Sequence, residues 1–218
     1  MIHHEKYTKA STIIDHEHSL LQDFLAQTIE RTDNDKTKAI KIYYAVRDGW
    51  IYSPYQVVFT EAALRASDIM PRPKGHCIDK AILMIALCRA AGIPSRLGLA
   101  KVTNHVSTER LEVILQSNEL VPHGYVEVYL NEKWIKATPA FNQSLCEKLN
   151  VAALEFDGET DSLLQSYNEA GGVFMEYIED YGHFEDIPIP YMIELARAHY
   201  PHVFNNATGI GDFKFLEE

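Results

Sequence analysis

Apolar positions crowd most densely between Cys77 and Ala91, where only Asp79, Lys80 and Arg89 interrupt the run. The run suits a buried helix and stops at Gly92-Ile93-Pro94; Gly92 fits the left-handed position past a helix C-terminus, and Pro94 cannot continue one. The pattern thus predicts a helix that opens at Cys77. Upstream, Ile13 to Ile29 reads as an amphipathic helix with Ile14, Leu21, Phe24, Leu25 and Ile29 on one stripe, and Asp33-Asn34-Asp35 caps a second helix through Arg47. A short helix spans Thr60 to Ser67. Downstream the period changes to two. Val126, Val128 and Leu130 alternate with Tyr125, Glu127 and Tyr129, and Asn131-Glu132-Lys133 is short enough for a hairpin into a strand around Trp134. Leu97 to Val106 and Leu111 to Leu115 read as further strands, so helices precede a sheet, which is an α+β arrangement.

After residue 142 the pattern weakens. Leu154 to Gly158 reads as a short strand running into a turn, Gly171-Gly172 as a bend, and Pro188-Ile189-Pro190 as the start of a helix ending near His199. The tail from Asn205 to Glu218 is acidic at its end, and is either loosely held or laid over a cleft. The chain divides into a core over residues 1–142 and an extension over 143–218 packed on the same domain.

A thiol in the first turn of a helix feels the positive end of the helix dipole, which favours the nucleophilic thiolate. Taken alone, a cysteine beside an apolar run is more often a small buried hydrophobe, and Cys88, inside the helix beside Leu87, fits that description. Cys77 differs because a strand-borne histidine, His123, follows far along the sequence. Such a pair is what a thiol nucleophile needs, since the imidazole must be near in space and not in sequence. The two side chains are expected to face each other at hydrogen-bond range.

The residues that carry this pair resemble the transglutaminase-like superfamily of papain-related cysteine enzymes. Gly75-His76-Cys77-Ile78-Asp79-Lys80-Ala81, Arg89-Ala90-Ala91-Gly92-Ile93-Pro94-Ser95-Arg96, His123 with Glu127-Val128, and Trp134 fill the places of that family's pattern over about residues 40–142. The resemblance implies a papain-like fold with the nucleophile on the N-terminus of a central helix packed against an antiparallel sheet. It also implies Cys77 as nucleophile, His123 as base, and Thr138 in the third catalytic place, where the family usually has Asp before a proline, here Pro139. A hydroxyl accepts the ring N–H but supplies no charge. Asn142 is the next candidate for orienting the ring, while Asp157 and Asp161 read as solvated carboxylates. In the aromatic loop Trp50 to Tyr55 and just beyond it, Tyr52 and Gln56 are candidates to line the substrate cleft and, with the Cys77 N–H, to serve a developing oxyanion.

Composition narrows the partners. With 31 acidic and 20 basic residues the net charge is -11, which repels nucleic acid and acidic membranes. No apolar run approaches the roughly 20 residues of a membrane span, and the first residues lack a signal-peptide segment, so a cytoplasmic location is expected. Three cysteines cannot form a closed disulfide set. Ten histidines show no His-x-x-x-His or Cys-x-x-Cys spacing, so no metal and no cofactor is expected. The favoured reading is thiol-dependent acyl transfer on a peptide or protein amide, as in a cysteine protease or amidase. A protein-glutamine transglutaminase and a non-catalytic peptide-binding domain of the same fold are the alternatives. The substrate and the oligomeric state leave no trace in the sequence.

Overall fold

The computed structural model describes residues 4–104, 109–164, 174–205 and 212–214. The expected first helix starts later than its apolar stripe: α1 spans Ser19–Thr28. Before it, the Ser11 hydroxyl accepts from Ile13 N and Ile14 N, and Asp15 Oδ1 accepts from Ser67 N. These side chains compete with helical hydrogen bonds, so Ile14 is buried from a turn while His18 caps the helix. In α2, Asp35–Gly49, Asn34 Oδ1 accepts from Thr37 N as the sequence suggests. Two short strands follow, β1 at Ile51–Tyr52 and β2 at Gln56–Val58. The single helix expected from Thr60 is two, α3 at Glu61–Leu64 and α4 at Ala66–Ile69, parted by extended backbone at Arg65. Strand β3, Lys74–Gly75, then leads into α5, Cys77–Ala90. Cys77 to Arg89 are all buried, which makes α5 the central helix, and Gly92 follows it at φ 79°.

Strand β4 covers Ser95–Asn104 and β5 covers Glu119–Leu130, with β6 at Lys133–Ala137. Asn131 and Glu132 both have left-handed φ, 49° and 65°, as a two-residue hairpin between right-twisted strands requires. Leu111 to Leu115, expected as a strand, belongs instead to helix α6, Glu109–Leu115. A strand would put Leu111, Val113 and Leu115 on one face; the observed helix buries Leu111 and Leu115 to 4% exposure and leaves Val113 76% exposed. Helix α7 spans Gln143–Leu149, β7 spans Met175–Phe184, α8 spans Ile189–His199 as expected, and α9 spans Pro201–Asn205. A last strand, β8, Asp212–Lys214, pairs antiparallel with β2. The main sheet is antiparallel throughout in the order β6-β5-β4-β7 and packs against α5, so the α+β expectation holds.

Strand β7 was not foreseen. Its pattern, Met-Glu-Tyr-Ile-Glu-Asp-Tyr-Gly-His-Phe, carries charges at an exposed edge, where they discourage pairing with other chains. The strand expected at Leu154 to Gly158 is absent. Leu154 O accepts from Arg47 Nη1 at 2.8 Å and from Tyr43 Oη at 3.0 Å, so side chains of α2 satisfy this backbone in place of a neighbouring strand. The turn at Gly158, φ 68°, is present, with Asp157 Oδ1 accepting from the Glu159 and Thr160 amides. The bend expected at Gly171-Gly172 lies outside the described residues. No helix among them is long and apolar enough to cross a membrane.

Two contacts fix the frame. Lys80, fully buried in α5, donates to Arg47 O, Trp50 O and Ala140 O at 2.7–2.8 Å. Burial pushes its pKa down to about 7, while three carbonyl acceptors match the three protons of the ammonium. At Gly124, β5 passes so close to α5 that a Cβ would stand 2.8 Å from Ile78 Cγ1 and 3.2 Å from Ile78 Cα. Replacing Lys80 with Met should strand three carbonyls and cost about 3 kcal/mol or more, read from the urea midpoint. Gly124→Ala should cost roughly 1–3 kcal/mol by forcing β5 off α5, and an unchanged midpoint would contradict that close approach.

Candidate active site

The first turn of α5 is held by a side-chain cap. His76 Nδ1 accepts from Ile78 N at 3.0 Å and Asp79 N at 3.3 Å, and Asp79 Oδ2 accepts from His76 N at 3.0 Å, a reciprocal capping box. Cys77 thus sits at the first helical position, 8% exposed. Strand β3, immediately before it, pairs in parallel with β1, setting Tyr52 opposite Gly75, and Ser53 N donates to Gly75 O. The aromatic loop is therefore fastened to the segment that delivers the thiol.

The thiol is not the thiolate that its helix position alone suggests. Burial pushes the Cys77 pKa up to about 11, against the Gly124 N–H, which lies near enough to the sulfur to favour the anion. Desolvation of the charged form outweighs dipole and amide together. Burial likewise pushes His123, 1% exposed, down to about 4. Thiol and neutral imidazole are the resting forms.

His123 lies within β5, four residues past its start, one residue before the Gly124 contact. The expected hydrogen bond to Cys77 is not made: neither ring nitrogen has a partner among the described residues. The pleat explains this. Gly124 faces Ile78, while Tyr125 faces Tyr177 and Asp180 on the other side, and alternation groups His123 with Tyr125. The Cys77 sulfur is instead approached by the Gly124 amide, and a strand N–H points within the plane of the sheet. Strand β6 ends at Ala137, opposite Val126, and the first turn of α5 meets β5 just beyond that point.

Thr138 follows β6. The β5–β6 ladder ends one residue before it, at Val126 and Ala137. Its hydroxyl is buried without a partner among the described residues, while its N–H donates to Ser162 O. Asn142 is occupied elsewhere: Oδ1 accepts from Tyr52 N at 2.9 Å, and Nδ2 donates to Ser144 Oγ at 2.8 Å. It anchors the aromatic loop in place of orienting the imidazole. Asp157 serves its own turn, and Asp161 accepts from Lys136 N.

A cavity of about 70 Å³ opens at Cys77. Tyr52 lines it, with its phenol pKa held well above the usual range, chiefly by burial and then by the nearby Cys77. Gln56 belongs to β2, and only its backbone is described. Sequence reasoning missed the far wall, built by Leu111 and Leu115 of α6, by Leu120 and Val121 of β5, and by Tyr200 after α8. Tyr200 Oη donates to Glu119 O at 2.7 Å and accepts from Val121 N at 2.8 Å, latching the start of β5. No spacing in the sequence links it to Cys77. No group of three or more potential metal ligands occurs among the described residues.

Two solved structures are similar to parts of this chain. One, a “putative cysteine protease” from Cytophaga hutchinsonii, is 22% identical with a TM-score of 0.46, over 61% of this chain and 40% of that one. The other, a “putative protease” from Parabacteroides distasonis ATCC 8503, is 15% identical with a TM-score of 0.37, over 58% of this chain and 26% of that one. This chain thus spans less than half the length of either, and no curated protein matches it. The family model described as transglutaminase-like superfamily matches residues 22–139, more than half of the sequence, from within α1 to the proline after Thr138. The chain, with its capped cysteine helix against an antiparallel sheet, belongs to the transglutaminase-like superfamily.

Proposed function

We propose that this protein catalyses thiol-dependent acyl transfer on peptide or protein amides, as a cysteine protease or amidase. The observation that carries the reading is a set of buried polar atoms with no partner among the described residues: both ring nitrogens of His123, one residue before the Gly124 contact with α5, and the hydroxyl of Thr138, just after β6. Buried polar groups are nearly always paired, so an uncommitted set beside a capped thiol is poised for a bond that substrate or a ring rotation completes. Cys77 Sγ attacks the amide carbonyl carbon as its proton passes to a His123 nitrogen. The C–N bond then breaks, that proton leaves with the amine, and a thioester remains. Water attacks the thioester, His123 takes the water proton and returns it to sulfur, and the carboxylic acid departs. In this reading the Cys77 N–H and Tyr52, which lines the cavity, serve the developing oxyanion. Burial raises the thiol and lowers the imidazole, which favours passing the proton as the sulfur attacks over forming an ion pair beforehand.

An amine in place of water would make the same thioester a transglutaminase intermediate. A peptide-binding domain without catalysis would keep the fold and form no thioester.

Incubation with 4-nitrophenyl acetate should acetylate Cys77, detected by intact and peptide mass spectrometry, and His123→Ala should slow this by about 10²–10⁴-fold. Equal rates in parent and His123→Ala, or label on Cys88 or Cys146 instead, would sink the proposal. Adding a fluorescent primary amine with labelled casein decides between hydrolysis and amine transfer by which product accumulates.

The buried imidazole also has a stability signature. Its pKa falls from 6.5 to about 4 on folding, so between these values the unfolded chain binds the proton and the folded one does not. Stability should therefore drop as pH falls from 6.5 to 4, by about 3 kcal/mol from this group. His76 shifts in the same direction, so His123→Gln should lessen the acid loss without removing it; urea midpoints at pH 7 and pH 4.5 test this.

A further inference from the structure

We infer that the cavity beside Cys77 receives one uncharged aliphatic side chain from the acyl part of the substrate, the part that a thioester keeps on the enzyme. The inference rests on the acyl-transfer reading and adds the substrate class. Of the described residues lining the cavity, none is Asp, Glu, Lys or Arg. Its polar members are Tyr52, His76, Tyr200 and Cys77 itself. His76 Nδ1 holds the helix cap, and the Tyr200 hydroxyl is taken up by Glu119 O and Val121 N. Most of the lining is apolar, Val57, Phe59, Leu111, Leu115, Leu120 and Val121 among it.

A charged side chain entering there would shed its water with no counter-ion among the described lining residues, whereas an aliphatic one gains by burial. The size is also informative. At 10–15 Å³ per water on this kind of measure, about 70 Å³ holds roughly five waters, which matches the four side-chain carbons of leucine or isoleucine better than a long basic side chain. The walls come from separate elements, β2, α6, the start of β5 and the end of α8, and Cys77 is one of the lining residues. A group bonded to Cys77 therefore has this cavity beside it, and its side chain is the occupant we assign.

Peptidyl chloromethyl ketones that differ only in their last side chain, Leu, Lys or Glu, test this directly. In each, the Cys77 Sγ–carbon bond forms as the C–Cl bond breaks, chloride leaves, and the thiol proton goes to His123 or solvent. The leucyl probe should modify Cys77 at least about tenfold faster than the lysyl or glutamyl probe, following what apolar pockets discriminate. Val57→Asp, at a partly buried wall position, should narrow or invert the gap between the leucyl and lysyl probes. Should the three probes react at equal rates in the parent protein, the proposal is overturned, whatever the variant does. If no probe outruns iodoacetamide and His123→Ala changes nothing, the acyl-transfer reading itself fails and takes this one with it.

Discussion

The ammonium of Lys80 is the interaction on which the site is assembled. It sits one turn into the helix that carries Cys77 and gathers the carbonyls of Arg47, Trp50 and Ala140. Those three carbonyls mark the end of α2, the start of the aromatic loop and the segment after Thr138. A buried charge is tolerable only where every donor finds an acceptor, and here meeting that condition brings the thiol, Tyr52 and Thr138 segments to one point. The loop is then pinned a second time by Asn142 on the Tyr52 amide. The chain thus converts the desolvation demand of one lysine into geometry for other residues.

On the far side of the helix start, steric exclusion takes the place of hydrogen bonding. Gly124 lets β5 run against Ile78, and the absence of a Cβ brings the neighbouring amide to the Cys77 sulfur. The same closeness excludes water from thiol and imidazole, and that exclusion, more than the dipole of α5, sets their protonation. A helix N-terminus favours a thiolate by a modest amount. Complete burial opposes it by more.

The parts of the fold that could be read from sequence were those where burial is one-sided or total. The α5 run, the Asn34 cap and the β5–β6 hairpin follow from periodicity and turn chemistry alone, and the family pattern located Cys77 and His123. The failures have physical causes. Two-residue windows cannot separate period 2 from period 3.6 in a segment as short as Leu111 to Leu115, and only the exposure of Val113 settles it. Strand β7 carries edge charges that erase alternation. The Ser11 and Asp15 hydrogen bonds delay α1 beyond the reach of a hydrophobic stripe. At the site, the sequence pattern paired His123 with Cys77 but did not show the hydrogen bond to be unmade, and Tyr200 entered the cavity through tertiary packing alone.

The cap of α5 carries one more consequence. Helices usually begin with Ser, Thr, Asp or Asn, whose oxygens accept across the ordinary pH range. Here the acceptor is an imidazole nitrogen: His76 Nδ1 receives two backbone N–H groups, so the ring must be the neutral Nε2-protonated tautomer. Burial keeps it so by lowering the His76 pKa. One added proton would turn the acceptor into a donor facing two donors, and the turn that presents Cys77 would lose its cap. The frame that presents Cys77 is therefore itself a titratable object, intact only while one particular nitrogen stays bare.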